Sequence, residues 1–260
     1  MTLGYGVAGA LVGVLVGMTG VGGGSLMAPL LILLFGFNPS VAVGTDLWFA
    51  AVTKSVGGLV HRRVGSPDWQ IVGRLAAGSV PAALVTVLWL NLTHHGKLDS
   101  TFMMRLIAVA LIVTAILAPL KGNLRGPLAR MKSGMGRTLR GKQVFATVAG
   151  GALVGVLVTL TSIGAGALVA VMLMIFYPMR LGTKSIVGTD IMHAIPLALV
   201  AALGHSYLGN VDWSLLAQLL VGSIPGIIVG SLLASRINDK VMTLLLSAML
   251  ILTGIKLLAG

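Results

Sequence analysis

The sequence predicts an all-α integral membrane protein made of two inverted-topology repeats, each a broken or re-entrant helix pair followed by three transmembrane helices. Hydropathy, an internal duplication and the placement of positive charge carry that expectation. Hydrophobic residues make up 57% of the 260 and charged residues only 9%, whereas a soluble domain carries about a quarter charged residues. Mean hydropathy is +1.02.

So few polar side chains cannot cover a water-facing surface, and the apolar runs are too long and numerous for one aqueous core. Residues 1–20 lack the basic leader and small-residue cleavage site of a removable signal peptide, so they read as a retained first segment. The lack of cysteine excludes disulfides, thiolate metal sites and cysteine nucleophiles. Eighteen Lys and Arg against six acids give a net charge of +12. In a soluble chain that balance would suggest nucleic acid; here most of the positive charge lies between spans, where it orients the chain.

The duplication is read directly from repeated motifs. GALVGVLV occurs at residues 9–16 and again at 151–158. Gly22 and Gly24 align with Gly164 and Gly166, and Gly44-Thr45-Asp46 aligns with Gly188-Thr189-Asp190. The order continues through His61 with His205, Asp68-Trp69 with Asp212-Trp213, and Gly78, Ser79 and Pro81 with Gly222, Ser223 and Pro225. A two-residue insertion near residues 177–184 shifts the register once.

Each copy runs through the same elements. In the first, residues 3–18 are apolar, 19–24 form a Gly-rich break, and 26–37 are a short apolar stretch. Fuller segments follow at about 41–60, 70–90 and 102–120. The second copy repeats this at 144–160, 167–176, 185–203, 214–234 and 242–258. A span needs about 20 residues, so the short member after each break reads as a broken or re-entrant piece. The chain thus divides into a first repeat at 1–120, a basic linker at 121–142 and a second repeat at 143–260.

The linker holds Lys121, Arg125, Arg130, Lys132, Arg137, Arg140 and Lys142 with no acid, which makes it cytoplasmic. Counting outward puts the Arg62-Arg63 loop inside and residues 91–100 outside. In the second copy the loop at 206–211 has no Lys or Arg, while Arg180 with Lys184 and Arg236 with Lys240 lie on the other side. The copies are therefore expected to be inverted, each short pair entering and leaving on one side, as in many secondary transporters. Both termini then face away from the cytoplasm, in a bacterial inner membrane.

The break Gly20-Val21-Gly22-Gly23-Gly24-Ser25 and its counterpart Ser162-Ile163-Gly164-Ala165-Gly166-Ala167 expose backbone N–H groups that lipid cannot satisfy. They must be buried in protein or line a wet cavity. A short helix follows each, so free amides and a positive dipole end converge on one point, and glycine permits close approach. Gly22, Gly23, Gly24, Gly164, Ala165 and Gly166 are accordingly the expected anion-binding backbone, with Ser25, Thr45, Thr161 and Thr189 as neutral donors. Close helix packing through small residues is the competing explanation. A nucleotide-phosphate loop does not fit, because no Lys follows the glycines and no strand precedes them.

Asp46 and Asp190 are acids within membrane segments, which makes them candidates for proton coupling, or for gating by ordering the Gly-rich breaks; near a segment start, they could instead cap a helix. Lys54 and His193 lie deeper and join that set, against the simpler readings of a snorkelling Lys and a satisfied buried His. Asp68-Trp69 and Asp212-Trp213 read as N-caps beside interfacial anchors. His61 and His205 end segments at headgroup level, and Pro81 and Pro225 loosen helices. No metal site or cofactor is expected.

With these residues, the chain resembles the sulfite exporter TauE/SafE family, also called the toluene-sulfonate uptake permease family. The likeness rests on Gly22-Gly23-Gly24 followed by Ala28-Pro29-Leu30, on Gly44-Thr45-Asp46, and on the degenerate second copy from Ser162 to Asp190. The second copy has Ala165 for a Gly and Val171 where the first has Pro29, so the halves contribute unequally. The resemblance implies a secondary transporter, commonly an exporter, of a sulfur-containing or organic anion such as sulfite, sulfoacetate or a sulfonate. Its expected partners are that anion, the lipid bilayer and, as a homodimer, a second copy, with no nucleic acid. A passive anion channel and a non-transporting sensor or scaffold are the alternatives. An enzyme is disfavoured, since all six acids are dispersed Asp and no His cluster is present.

Overall fold

The computed structural model describes residues 2–19, 26–60, 67–132, 140–178, 180–233 and 239–259. Ten helices make up these residues: α1 (Thr2–Thr19), α2 (Met27–Phe35), α3 (Pro39–Val60), α4 (Trp69–His94), α5 (Ser100–Lys132), α6 (Arg140–Thr161), α7 (Ala167–Phe176), α8 (Thr183–Tyr207), α9 (Trp213–Leu233) and α10 (Asp239–Ala259). The protein is the all-helical membrane protein that its hydropathy predicts.

Local sequence explains where these helices begin and end. Asp68 caps α4 by accepting from Ile71 N at 3.2 Å, and Asp212 caps α9 by accepting from Leu215 N at 2.9 Å. Asp99 does the same for α5 through Phe102 N at 2.9 Å. These carboxylates occupy the orphan amides of a first turn. α2 stops at Gly36, whose φ of 68° lets its N–H and that of Phe37 turn back onto Ile32 O and Leu31 O.

Among the described residues, six helices are long and apolar enough to cross a membrane: α4, the Ser100–Pro119 part of α5, α6, α8, α9 and α10. α6 therefore joins this set, and α3, expected as a full segment, does not. α3 is 22 residues long but carries Asp46 and Lys54, and its face from Ala42 to Lys54 is largely buried. A helix sheathed by protein is relieved of the uniform apolarity that lipid contact demands. α8 is its partner in the centre: 61% of its span is buried, against 28% to 39% for the other five. The helices α2 and α7, at nine and ten residues, are about 15 Å long, half the roughly 30 Å hydrocarbon core. α5 runs on to Lys132 and α6 starts at Arg140, so both described edges of the basic 121–142 segment are helical.

Contacts between the copies build the core. α1 packs on α9, α6 on α4, α3 on α8, and α5 on both α10 and α7. Glycine sets the first two seams. A Cβ added at Gly9, Gly13 or Gly17 of α1 would lie within 3.0 Å of the carbonyl oxygens of Leu219, Ser223 and Ile227 respectively. In return, Gly222, Gly226 and Gly230 of α9 press on the carbonyls of Gly6, Ala10 and Val14. Gly151 and Gly155 of α6 and Gly78 of α4 repeat the arrangement against Leu75, Ser79 and Val148. Backbones this close gain dispersion and Cα–H···O contacts, which substitute for a hydrophobic force that lipid does not supply between helices.

Gly13→Ala and Gly226→Ala should each destabilise the protein by about 1–3 kcal/mol through overpacking. Gly73→Ala, whose Cβ would meet nothing within 4 Å, should be neutral or stabilising by up to about 1 kcal/mol. Unfolding of detergent-purified variants measures both; equal behaviour at the three positions would refute the seam.

Candidate functional site

The second break lies between α6 and α7. Thr161 ends α6 with its hydroxyl donating to Leu157 O at 2.6 Å and accepting from Ile163 N at 3.1 Å. The chain then passes through left-handed conformations at Ser162 (φ 58°), Gly164 (φ 122°) and Gly166 (φ 136°). Gly166 offers α7 no side-chain cap, so the amides of its first turn are not taken up by their own N-cap residue. Thr161 is thus at the break, but its oxygen serves the local backbone. The first break falls outside the described residues, and with it Gly22, Gly23, Gly24 and Ser25. α2, which follows it, is likewise without a side-chain cap, and Pro29 in its first turn has no N–H.

α3 runs beside the second break. Asp46 lies seven residues after Pro39 at the start of α3, and Asp190 seven after Thr183 at the start of α8. Neither is an N-cap; both are buried about two turns along their helices. The Asp46 carboxylate faces the Ser162 hydroxyl and the first-turn N–H of Ala28, with neither carboxylate oxygen at hydrogen-bond geometry. Two turns on, Lys54 Nζ donates to Ala165 O at 3.4 Å. Asp190 and then Asp46 are the negative charges acting on that ammonium, and His193 lies within its field. His193 Nε2 and Ser79 Oγ share a 2.8 Å hydrogen bond. Asp46, Asp190, Lys54 and His193 are therefore one buried cluster along the α3–α8 contact, with Lys54 enclosed rather than snorkelling.

Thr45 and Thr189 do something the sequence did not disclose. Asp212 N donates to Thr45 Oγ1, and Asp68 N donates to Thr189 Oγ1, both at 3.0 Å. The Gly-Thr-Asp motif of each copy thus receives the Asp-Trp motif of the other. Gly44 makes room for this, since a Cβ there would sit within 3.0 Å of the Asn210 carbonyl.

Other polar groups close the two ends. Arg180 donates to Asp68 through Nε at 2.7 Å and Nη2 at 3.0 Å, and Nη2 also donates to Gln70 Oε1 at 2.7 Å. Tyr177, just past α7, bonds Thr147 at 2.8 Å and receives Arg74 Nη1 at 3.2 Å, while Gln143 donates to Phe176 O. The C-terminal end of α7 is thereby fastened to the beginnings of α6 and α4. At the opposite end, Asn210 Nδ2 donates to Gly96 O at 2.6 Å. His205, near the end of α8, is buried, with Nε2 2.9 Å from Thr159 O. The last turn of a helix need not be exposed when a neighbouring copy covers it.

Residues 5–257 match the family described as Sulfite exporter TauE/SafE. The chain belongs to this family. The probable membrane transporter protein YjnA of Bacillus subtilis is 36% identical over 96% of this chain and 97% of its own length. YdhB of the same organism, also a probable membrane transporter protein, is 31% identical over 85% of each chain. The probable membrane transporter protein MJ0441 of Methanocaldococcus jannaschii is 24% identical over 97% of this chain and 93% of its own. No solved structure matches.

In this TauE/SafE protein the crossed Thr–Asp bonds fix where α3 and α8 stand relative to the loops leading into α9 and α4. Thr45→Val and Thr189→Val keep shape and delete one acceptor each, so each should cost about 1 kcal/mol, toward 2 if the Asp amide is left unpaired. The sites lie at opposite ends of the chain's central pair and should add in the double variant. Unfolding measurements on the two single variants and the double check this; a strongly non-additive double would show that the ties are coupled.

Proposed function

We propose that this TauE/SafE membrane transporter is a secondary transporter, working as an exporter, of a small sulfur-containing or organic anion such as sulfite, sulfoacetate or a sulfonate. The anion is held by backbone amides at the two Gly-rich breaks and released by alternating access, as one copy rocks against the other in the inner membrane. The observation that carries this reading is the α6–break–α7 hairpin. Its return arm is only half a membrane thick, its two ends are fastened together by Gln143 and Phe176, and its turn has three residues at positive φ. Such a turn lies near mid-depth, and the α7 dipole places about half a positive charge there. Non-helical backbone at that depth is tolerated where it is covered by protein or lines a wet cavity.

Inverted insertion relates the two copies. It is supported by the crossed pairing of α1 with α9 and α6 with α4, and by the reciprocal Thr–Asp bonds. Asp46, Lys54, Asp190 and His193 line the path between the breaks as coupling or gating groups.

Proteoliposomes loaded with sulfite, sulfoacetate or an alkyl sulfonate should show saturable efflux. Current that stays linear in anion concentration would favour a passive channel, and no flux of any of these anions through folded protein would sink the proposal. Gly164→Ala forces a side chain into φ 122° with its Cβ 3.1 Å from Leu168 Cδ1, a strain of about 1–3 kcal/mol. Flux should fall at least about tenfold while the protein still purifies folded. Undiminished flux in this variant would remove the second break from the site.

A further inference from the structure

Asp46 stands where an incoming anion would need to bind. Its carboxylate faces the Ala28 N–H in the uncapped first turn of α2 and the Ser162 hydroxyl at the head of the second break. Those are donors from both half-helix regions, and the acid that faces them is fully buried. A fixed carboxylate and a mobile oxyanion present the same chemistry to an amide, so the two compete for one place.

Charge counting adds a second constraint. Around Asp46 the charged or titratable groups are Lys54 on α3, Asp190, His193 and His205 on α8, and Asp212 at the start of α9. Asp212 is taken up by Leu215 N at 2.9 Å, and His205 by Thr159 O at 2.9 Å. Lys54 has Asp190 as its foremost opposite charge. Asp46, the second of the negative charges acting on that ammonium, otherwise faces the two neutral donors. Adding an anion beside it would bury two like charges together, at a cost that grows steeply as water is excluded.

We propose that Asp46 is a tethered stand-in for the transported anion, displaced from the Ala28 amide and the Ser162 hydroxyl when one of its oxygens takes a proton, so that one proton and one anion occupy the site together. This rests on the anion-transport reading above. The proton comes from water on the side to which the site is open, adds to one Asp46 Oδ, and leaves when the anion leaves. The competing role, a purely structural group that faces the start of α2 from α3, would also be filled by Asn, whose amide oxygen presents a neutral acceptor to the same N–H.

Full-length protein in nanodiscs, titrated calorimetrically with methanesulfonate or sulfoacetate in buffers of differing ionisation enthalpy, tests this. A sulfonate group does not titrate in the neutral range, so proton uptake belongs to the protein. Wild type should take up close to one proton per anion, and its affinity should fall about tenfold per pH unit as pH rises through the linked range. Asp46→Asn should bind with no uptake and a flat pH profile, and Asp46→Glu should restore uptake. Infrared difference spectra of wild type should gain a protonated-carboxyl band on anion binding, a readout that stands even where a variant does not fold. Uptake persisting in Asp46→Asn, or anion binding in wild type without proton uptake or that band, overturns this inference alone. No binding of either probe by wild type overturns the transport reading and this inference with it.

Discussion

Close approach of backbones along the two glycine seams is the constraint on which the other features depend. In water, helices associate because their apolar faces leave solvent; in a bilayer the lipid tails are as apolar as leucine, and that force is gone. What remains is contact distance. Gly9, Gly13 and Gly17 against Gly222, Gly226 and Gly230 let α1 and α9 meet carbonyl to Cα along three turns. Gly151 and Gly155 with Gly78 do the same for α6 and α4. Each seam joins one copy to the other, so neither copy has a core of its own. The break after Thr161 is held in place because α6, which leads into it, is clamped to α4.

The crossed Thr–Asp bonds do for angle what the seams do for distance. Each ties the second turn of a central helix to the cap of a peripheral helix from the other copy. The cap carboxylates accept from their own first turns, Asp68 from Arg180 as well, and the backbone amides of the same residues make the tie. Asp46 and Asp190 follow the bonded threonines directly in sequence. They are thereby turned inward, with their depth set by a hydrogen bond one residue away.

Much of this was legible from residue patterns, and the gaps have physical causes. The all-helical class, the short α7 and the caps at Asp68 and Asp212 follow from hydropathy, length and side-chain chemistry, which are local properties. The repeat GALVGVLV was visible as a duplication, but its glycines at spacing four also encode the seam, and that meaning depends on which helix faces them. The bonds that Thr45 and Thr189 accept from Asp212 N and Asp68 N were not legible, because each joins residues far apart in sequence and on different copies. Ser79 and Arg180 escaped notice as partners of His193 and Asp68 for the same reason, since each pairing spans more than a hundred residues. α3 was read as a helix of full length, and it is one; its Asp46 and Lys54 keep it out of the six most apolar helices, and hydropathy does not record which neighbours cover them.

Where the copies differ is as informative as where they agree. With Asp46 opposite Asp190, the counterpart of Lys54 is Ala198 and that of His193 is Phe49. Ser79 meets His193, whereas its counterpart Ser223 turns back to Leu220 O at 3.4 Å. A symmetric pair of acids is thus served by a single ammonium and a single imidazole. Two identical half-sites would have placed equal charge on either side of the centre, and a guest would find two equivalent resting positions. With the cation on one copy and the imidazole on the other, the single ammonium acts on Asp190 first and on Asp46 second, and Asp46 faces neutral donors besides. Divergence at Lys54 and His193 thus makes the two halves of the buried cluster unequal in charge and in hydrogen bonding.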